Sequence, residues 1–513
     1  MNVLMIYPKY PDTYWSFKYA LKFISKKAAV PPLGLITVSA MLPGDWHKKL
    51  VDLNIENLQD TDLLWADFIF LSGMYVQKAS VNEILERCGQ FSAKVIAGGP
   101  LFTQDYADYP SIDHFVLNEA EITMPQFLAD WKKGHLKRIY QTNDYADLSL
   151  TPVPDYHLLD MKAYASMNIQ LSRGCPYNCD FCEITALLGH KVRMKSCAQI
   201  LQELDALFKL NWRGAVAVVD DNFIGNKQMV KTSILPGMVS WMKFRKYPFS
   251  FSAQTSINLA DDDQLLQMMR TAGFNSTFIG IETPDEKSLH SCHKVQNEHR
   301  DMLESVKQIQ QAGLQVSGGF IVGFDTDTES VFRRQVDFIQ KSGIVSAMVG
   351  LLNAPKHTKL YRQMEQENRL TEDLTGSNTD FTMNFKPKMN RQSLLKGYRH
   401  IINSIYREKP YYKRIRALLK NYKPVKTGKG NLDFAHIKGF LKSMYILGLA
   451  SKGRLEYWKF IGWTIIKKPK LFIDAVTLAV YGYHFRTIYG INNVKQREFE
   501  GLYVDENRIK KIK

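Results

Sequence analysis

The fourteen residues LSRGCPYNCDFCEI (171–184) decide the reading of this chain. They place three thiols, Cys175, Cys179 and Cys182, at spacing CxxxCxxC directly after NIQLSRG (168–174), a run that reads as a strand. A loop leaving a strand of an α/β barrel lies on the C-terminal rim, where such folds keep their chemistry. Three thiolates from one tight loop can hold three corners of a cubane, whereas a closed ferredoxin-type 4Fe-4S site takes four cysteines. The fourth iron is then open to a substrate or cofactor. The competing reading is structural zinc with His190 as fourth ligand, but structural zinc is usually gripped by two separated ligand pairs, and here a single overlapping triplet stands alone.

Working outward from that loop, the same alternation of apolar runs and amphipathic segments continues. The strand candidates are AVAVVDD (215–221), FSFSAQTSI (249–257), TFIGIET (277–283), VSGGFIVGF (316–324) and AMVGLLN (347–353). Helical patterns intervene, among them AQILQELDALF, DDQLLQMMRTAG and ESVFRRQVDFIQKSG. Six strand and helix alternations over residues 166–370 predict an incomplete (β/α)6 barrel. Upstream, the Pro-punctuated TPVPDYHLLD marks a linker over 146–165. Before it, residues 1–145 predict a Rossmann-like parallel sheet, with strands VLMIYP (3–8), KLVDLN (49–54), DFIFLSG (67–73), KVIAGGP (94–100) and HFVLNEAE (114–121), and helices such as LGLITVSAML and SVNEILERCGQ. Ligands of such sheets bind beyond the strand C-termini, where Ser72, Gly73 and Met74, then Gly98 and Gly99, then Glu119 fall. No GxGxxG follows the first strand, which disfavours NAD or FAD. From 371 to 513 the alternation gives way to a helical, aromatic and basic pattern.

The bulk composition, 45% hydrophobic and 23% charged over 513 residues, is that of a multi-domain globular chain. The N-terminus lacks a secretory pattern, and the longest apolar run, Leu471 to Tyr483, is short for a membrane span and is broken by Asp474. Six cysteines in so long a chain do not make a disulfide scaffold; a reducing cytoplasm suits them, with Cys88, Cys197 and Cys292 expected as buried small apolar residues. The net charge of +16 is concentrated at one end: residues 391–513 hold 27 Lys and Arg against 8 Asp and Glu, or +19, leaving −3 for residues 1–390. Mixed with Trp, Tyr, Phe and Leu in GFLKSMYILGLASKGRLEYWKFIGWTIIKKPKLF (439–472), that charge suits peripheral contact with an anionic membrane face, or a helical cap with a solvated basic side. Nucleic acid is disfavoured for want of an RNA-binding motif.

CxxxCxxC with Phe181 just before the last cysteine, at the first strand of a six-stranded partial barrel, resembles the radical S-adenosylmethionine superfamily. That resemblance implies a 4Fe-4S cluster on Cys175, Cys179 and Cys182 whose open iron chelates S-adenosylmethionine and cleaves it to a 5′-deoxyadenosyl radical. An electron donor such as flavodoxin or ferredoxin is implied with it. It further implies that Phe181 and the strand ends bearing Asp221 and Asn222, Gln254 and Ser256, Glu282, and Gly318 and Gly319 contact S-adenosylmethionine. The preceding unit, with YPKYPDTYWSFKYALKFISKKAAVPPLGL, GMYVQKASV, GGPLFT and LNEAEIT, is similar to the cobalamin-binding branch that carries an extra C-terminal domain, near the hopanoid-type methylases. This implies cobalamin contacts at Ser72, Gly73, Met74, Gly98, Gly99 and Glu119. The DxHxxG element that places a histidine beneath cobalt is missing, and His47, His114 and His135 lack that context. The implied function is a cobalamin-dependent radical C-methyltransferase acting on a small molecule, such as a lipid, isoprenoid or tetrapyrrole. A radical enzyme of another type (cyclisation, rearrangement, methylthiolation) and a non-catalytic sensor are the alternatives.

Overall fold

The computed structural model describes residues 1–371, 374–377, 380–424 and 434–491. The expectations placed on the remaining residues, including the lysines of 425–430, lie outside the described residues. The chain opens with a parallel sheet of six strands, β1 (Asn2–Tyr7), β2 (His47–Asp52), β3 (Phe68–Ser72), β4 (Lys94–Gly98), β5 (His114–Val116) and β6 (Ile139–Tyr140), in the order β2-β1-β3-β4-β5-β6. Residues 3–6 of β1 and 68–71 of β3 are buried without alternation, as in a parallel strand covered on both faces. The run HFVLNEAE, read as one strand, leaves the sheet at Val116; Asn118 turns at φ 61° and a helix begins at Ala120. Strand β6 has two residues, too few to leave a periodic signal in the sequence. Helices α1 (Leu33–Met41) and α2 (Ala120–Lys132) pack together on one face of this sheet.

The second sheet curls. Its strands are β7 (Ser166–Ile169), then, beyond the short antiparallel ribbon of β8 (Ser172–Arg173) and β9 (Arg193–Met194), β10 (Gly214–Val218), β11 (Phe249–Gln254), β12 (Phe274–Glu282), β13 (Gln315–Val322) and β14 (Ala347–Leu351). The order β14-β13-β12-β11-β10-β7 is all parallel, and its ends do not pair, so the barrel is a half-barrel as the sequence predicted. Burial alternates along its strands. Phe249, Phe251 and Ala253 of β11 are buried, with Phe249 stacked on Trp241 of the helix Leu235–Phe244, while Ser250, Ser252 and Gln254 turn the other way, into the lumen. The register puts Ser276 and Phe278 beside them, then Ser317 and Gly319. Barrel interiors are usually filled by Val, Ile and Leu. This one is lined by small residues.

Five longer helices follow: α3 (Arg391–Tyr406), α4 (Glu408–Asn421), α5 (Phe434–Tyr445), α6 (Arg454–Lys467) and α7 (Phe472–Ile488). They cover the free edge of β14. The Tyr398 and Tyr406 hydroxyls donate to Val349 and Ala347 carbonyls at 3.0 and 2.6 Å, and buried Arg414 donates to the Val345 carbonyl at 3.2 Å, satisfying groups that an open edge would expose. The segment between β1 and α1 crosses the molecule to meet them. Its Tyr14 ring stacks on Phe485 at 4.5 Å, its Trp15 ring meets Phe278 of the lumen edge-on at 5.1 Å, and its Lys22 carbonyl accepts a bond from Lys442 Nζ at 2.7 Å.

Candidate functional site

The thiol loop leaves the barrel through Gly174, at φ 91°, where a Cβ would stand 2.6 Å from the Lys191 carbonyl oxygen; only glycine fits. Backbone bonds then shape it: Cys175 N–H to the Gly189 carbonyl at 3.3 Å and Cys182 N–H to the Cys179 carbonyl at 3.1 Å. Asp180 anchors its middle. Its N–H donates to the Cys292 carbonyl, its own carbonyl accepts from Leu360, and its Oδ2 pairs with His293 Nδ1 at 2.8 Å. Burial pushes the Cys175 and Cys182 thiols up, Cys182 to about 12, against the pull of the Tyr177 and Ile184 amides and of Lys294. Gln296 Nε2 stands 3.7 Å from Cys179 Sγ. Three desolvated sulfurs supplied with N–H donors and one nearby cation fit the donor set of an iron-sulfur cluster, whose potential is tuned by such bonds. Among the described residues no group of three His, Cys, Asp or Glu is placed to hold a single metal ion, and His190 is exposed. Of the scattered cysteines, Cys88 and Cys292 are buried; Cys197, at the start of a helix, is half-buried, its sulfur against Gly237 of the helix Leu235–Phe244.

The strand ends named from the sequence gather around this loop, with distinct parts. Asp220 is buried and accepts from Leu171 N–H at 2.7 Å and Ser172 Oγ at 2.6 Å, bracing the strand that feeds the thiols. Burial pushes the Asp221 carboxyl up to about 6, opposed by the Gly174 amide and the Arg173 charge, and its Oδ2 is buried without a partner. Asn222, Ser256, Asn258 and Tyr177 form one hydrogen-bonded chain, Asn222 Nδ2 to Ser256 Oγ at 3.3 Å, Ser256 Oγ to Asn258 Oδ1 at 2.7 Å, and Asn258 Nδ2 to the Tyr177 hydroxyl at 2.8 Å, which ties the third strand end to the loop. Gln254 is exposed at the end of β11. Glu282 sits at φ 63°, where the β12–β13 register shifts, and pairs with Lys294 Nζ at 2.7 Å; a side chain at that φ is strained and is held by its surroundings. Lys294 also lies 5.9 Å from the Phe181 ring, so Glu282, Lys294, Phe181 and the thiols form one cluster. Gly319 faces the lumen, where a Cβ would touch Phe278 at 3.0 Å, whereas Gly318 faces outward onto Ile344. Lys294 and Gln296 lie more than a hundred residues after the thiols with no motif to mark them, and Tyr177, inside the CxxxCxxC loop, and Asn258, two residues after Ser256, show their part only through the hydrogen bond between them.

A cavity of about 330 Å³ opens at the C-terminal rim of the first sheet, between its strands and helices α1 and α2. Leu35, Val38, Met41, Ile96, Val116 and Met124 give it apolar walls, Ser72, Gly98, Gly99 and Glu119 form part of its rim, and Gln170, Arg173, Leu188 and Val219 of the barrel half close it. The glycines are dictated by packing. A Cβ on Gly98 would fall 2.7 Å from the Val116 carbonyl oxygen, one on Gly73 would touch Val81, and Gly99 turns at φ 91°. Gly73 and Met74 lie outside the cavity lining; Met74 is exposed and its sulfur accepts from the Tyr10 hydroxyl at 3.5 Å. Glu119, read as a cofactor contact, is engaged by protein: Arg193 donates to both its oxygens at 2.6 and 2.7 Å, and Arg173 to one at 3.1 Å. Glu121 takes the other side of Arg173 at 2.8 and 2.9 Å. This four-residue clamp links the cavity rim to the strand that leads into Cys175. His47 and His114 begin their strands, at the sheet end opposite the rim, and His135 is exposed beyond α2.

Comparison with known proteins agrees with this geometry. Residues 169–339 match the radical SAM superfamily, and residues 358–497 match a domain of unknown function, DUF4070. An uncharacterized methyltransferase of Synechocystis sp. is 36% identical over 490 residues, 94% of this chain and 91% of the relative. The hopanoid C-2 methylase of Rhodopseudomonas palustris is 32% identical over 505 residues, 95% of this chain and 93% of the relative. Among solved structures, the cobalamin-dependent S-adenosylmethionine radical enzyme OxsB superposes with a TM-score of 0.60 at 15% identity, over 99% of this chain and 81% of that one. The radical S-adenosylmethionine methyltransferase TsrM of Kitasatospora setae gives 0.60 at 13% identity, over 83% of this chain and 96% of that one. With the fold shared and two full-length relatives above 30% identity, the chain belongs to the radical S-adenosylmethionine superfamily, as a methyltransferase of the family that contains the hopanoid C-2 methylase.

Proposed function

We propose that this enzyme methylates an unactivated carbon of an apolar, isoprenoid-type lipid and is cobalamin-dependent. The observation that carries the corrinoid part is the cavity whose walls come from both the Rossmann-like half and the barrel half, through Gln170, Arg173, Leu188 and Val219. An apolar slot flanked by the backbone of Gly98 and Gly99, with no histidine among its lining residues, would receive a corrinoid. When bound, the cluster with S-adenosylmethionine supplies a carbon-centred radical, and the corrinoid supplies the methyl group. The chain's own residues do the rest: Cys175, Cys179 and Cys182 hold the cluster, Glu282 and Lys294 fix a charge pair beside it, and Asn222 and Ser256 keep the third strand end in place. In this reading residues 1–145, 166–370 and 371–513 are the corrinoid, radical and substrate-delivery units, joined by the linker 146–165.

The substrate class is supported by the lumen. Ser250, Ser252, Ser276, Ser317 and Gly319 are small where other barrels carry large side chains, and Phe278, with Trp15 and Met348 against it and Gly319, adds an apolar side. A bulky, rigid hydrocarbon suits small and apolar side chains of this kind, and the hopanoid methylase relative acts, by its name, on such a molecule. The reductant is a cytoplasmic flavodoxin or ferredoxin, and the enzyme works against the cytoplasmic face of the membrane. No helix among the described residues is long and apolar enough to cross a bilayer.

Anaerobic reconstitution with iron, sulfide and hydroxocobalamin, followed by incubation with methyl-labelled S-adenosylmethionine and an isoprenoid lipid extract, tests this. The expected result is label in one lipid, with both S-adenosylhomocysteine and 5′-deoxyadenosine released, and loss of label and of cluster absorbance in Cys182→Ser. Release of 5′-deoxyadenosine alone, with no labelled lipid, would show a radical enzyme of another reaction type.

A further inference from the structure

The apolar residues left outside the core collect on one side of the C-terminal helices. Ile437, Leu441, Tyr445 and Leu449 are all exposed and follow one another at four-residue spacing along α5 and the π-helical turn Ile446–Ala450. On α6, Leu455, Trp458, Ile465 and Ile466 are exposed in the same way, with Gly462 between them open to space. The two stripes meet. The Trp458 indole donates to the Gly448 carbonyl at 2.9 Å, next to Leu449, and Ile24 of the crossing segment extends the face where it lies against Gly439. Helices normally turn such stripes inward; a stripe of i, i+4 apolar residues in water marks a surface with a partner.

Charge selects the partner. Between residues 437 and 473 there are eight Lys and Arg and a single carboxylate, Glu456. Lys438, Lys452, Arg454, Lys459, Lys467 and Lys470 stand exposed around the apolar stripes, and of these Lys459 pairs with Glu456 at 3.2 Å. Apolar and aromatic side chains rimmed by lysines, on helices too short and too polar to cross a bilayer, are the pattern of an interfacial surface that sinks its apolar face among acyl chains and sets its cations at anionic headgroups.

We propose that this two-helix face is a monotopic docking surface for an anionic lipid bilayer. It rests on the membrane contact proposed above and names the residues that make it. The crossing segment then joins the bilayer to the reaction chamber, because Ile24 lies on the docking face while Trp15, nine residues before it, stands against Phe278 in the lumen.

Vesicle flotation of the full reconstituted chain tests the face without reference to turnover. Phosphatidylcholine vesicles with and without phosphatidylglycerol are compared, for the wild-type chain and for the triple variant Leu441→Glu, Leu449→Glu, Ile466→Glu, whose sites are exposed enough to leave the fold intact; equal melting temperatures and equal 5′-deoxyadenosine release verify that. Wild-type protein should float with anionic vesicles and less with neutral ones, and the triple variant should lose at least tenfold in partitioning. Equal flotation of the variant would place the membrane contact elsewhere and overturn this face, while a wild-type chain that ignores anionic vesicles would overturn the membrane contact as a whole. A concentration-dependent dimer that the same substitutions dissolve, without flotation, would show that a second copy covers the face and also overturns the proposal.

Discussion

Replacing Glu121 by Ala takes the bidentate partner from a buried guanidinium, and the cost can be worked from the clamp. The Glu121 side chain is 2% exposed and accepts from Arg173 at 2.8 and 2.9 Å and from the Thr151 hydroxyl at 2.8 Å, while Arg173 is 13% exposed. Burial works against the Glu121 charge, but Arg173 more than offsets it and holds the carboxyl below its ordinary range. Removing one partner of a buried pair costs about 3–5 kcal/mol, and because Arg173 keeps its bond to Glu119, the lower end, about 3 kcal/mol, is expected. Replacing both partners by apolar residues, Glu121→Leu with Arg173→Met, should cost less than either single change, since neither charge is left alone. Urea denaturation of the four proteins closes the cycle, with a coupling energy of about 2 kcal/mol or more. Because the folded carboxyl is depressed, the clamp contributes fully above pH ~4 and is lost as the pH falls through its lowered pKa, so the coupling should vanish in acid. Arg173 precedes Gly174 and Cys175, so Glu121→Ala should also reduce iron retained per chain. A coupling below about 0.5 kcal/mol at neutral pH, the range of exposed pairs, would refute the idea that this clamp holds the two halves in register.

Gly98→Ala forces a methyl group to 2.7 Å from the Val116 carbonyl oxygen and should destabilise by about 1–3 kcal/mol, whereas Gly462→Ala, in an open helical position, should stabilise by up to about 1 kcal/mol; thermal melts compare them. Asp327 accepts from the Gly323 and Phe324 amides and from Ser288, and burial pushes its carboxyl up to about 6. Its folded form therefore holds a proton that the unfolded chain releases from about pH 4, so its contribution to stability falls as pH rises from 4 to 6, and Asp327→Asn should remove that part of the slope, about 3 kcal/mol at most. Equal slopes in urea titrations of the two proteins would rule this out. Lys294→Met leaves Glu282 buried without its cation and should lower cluster occupancy on reconstitution; unchanged iron content would show that the pair acts only on the fold.

The half-barrel was legible because its strands are long apolar runs separated by helices of clear period, and the thiol loop because three cysteines in eight positions leave few readings. What was not legible depends on contacts far apart in sequence. Glu119 looked like a ligand-facing residue after a strand; only its meeting with Arg193, 74 residues on, shows that protein already satisfies it. Gly98 and Gly99 looked like a ligand cradle, but their smallness answers the Val116 carbonyl and a left-handed turn. Lys294 and Gln296 sit in the loop CHKVQN, whose spacing from the cysteines is set by the whole of the barrel and by no local rule.

The small residues in the lumen bear on the substrate more than any single contact does. A barrel that fills its centre with Val and Leu is stabilised by that packing, so one that keeps Ser250, Ser252, Ser276, Ser317 and Gly319 there forgoes about 1.5–3 kcal/mol for each large side chain it could have buried. Part of the loss is made up outside, where Tyr398, Tyr406 and Arg414 seal the free edge of β14 and the crossing segment stacks Tyr14 on Phe485. On the proposed reading the substrate supplies the missing area there, and Trp15, Phe278 and Met348 beside the small residues suit the proposed hydrocarbon better than a charged metabolite. Enlarging one wall residue gives a direct check: Ser252→Leu should stabilise the unliganded barrel while blocking the lipid, so that 5′-deoxyadenosine release uncoupled from methylation rises. A variant that both melts higher and methylates as well as the wild type would show that the lipid is bound outside the lumen.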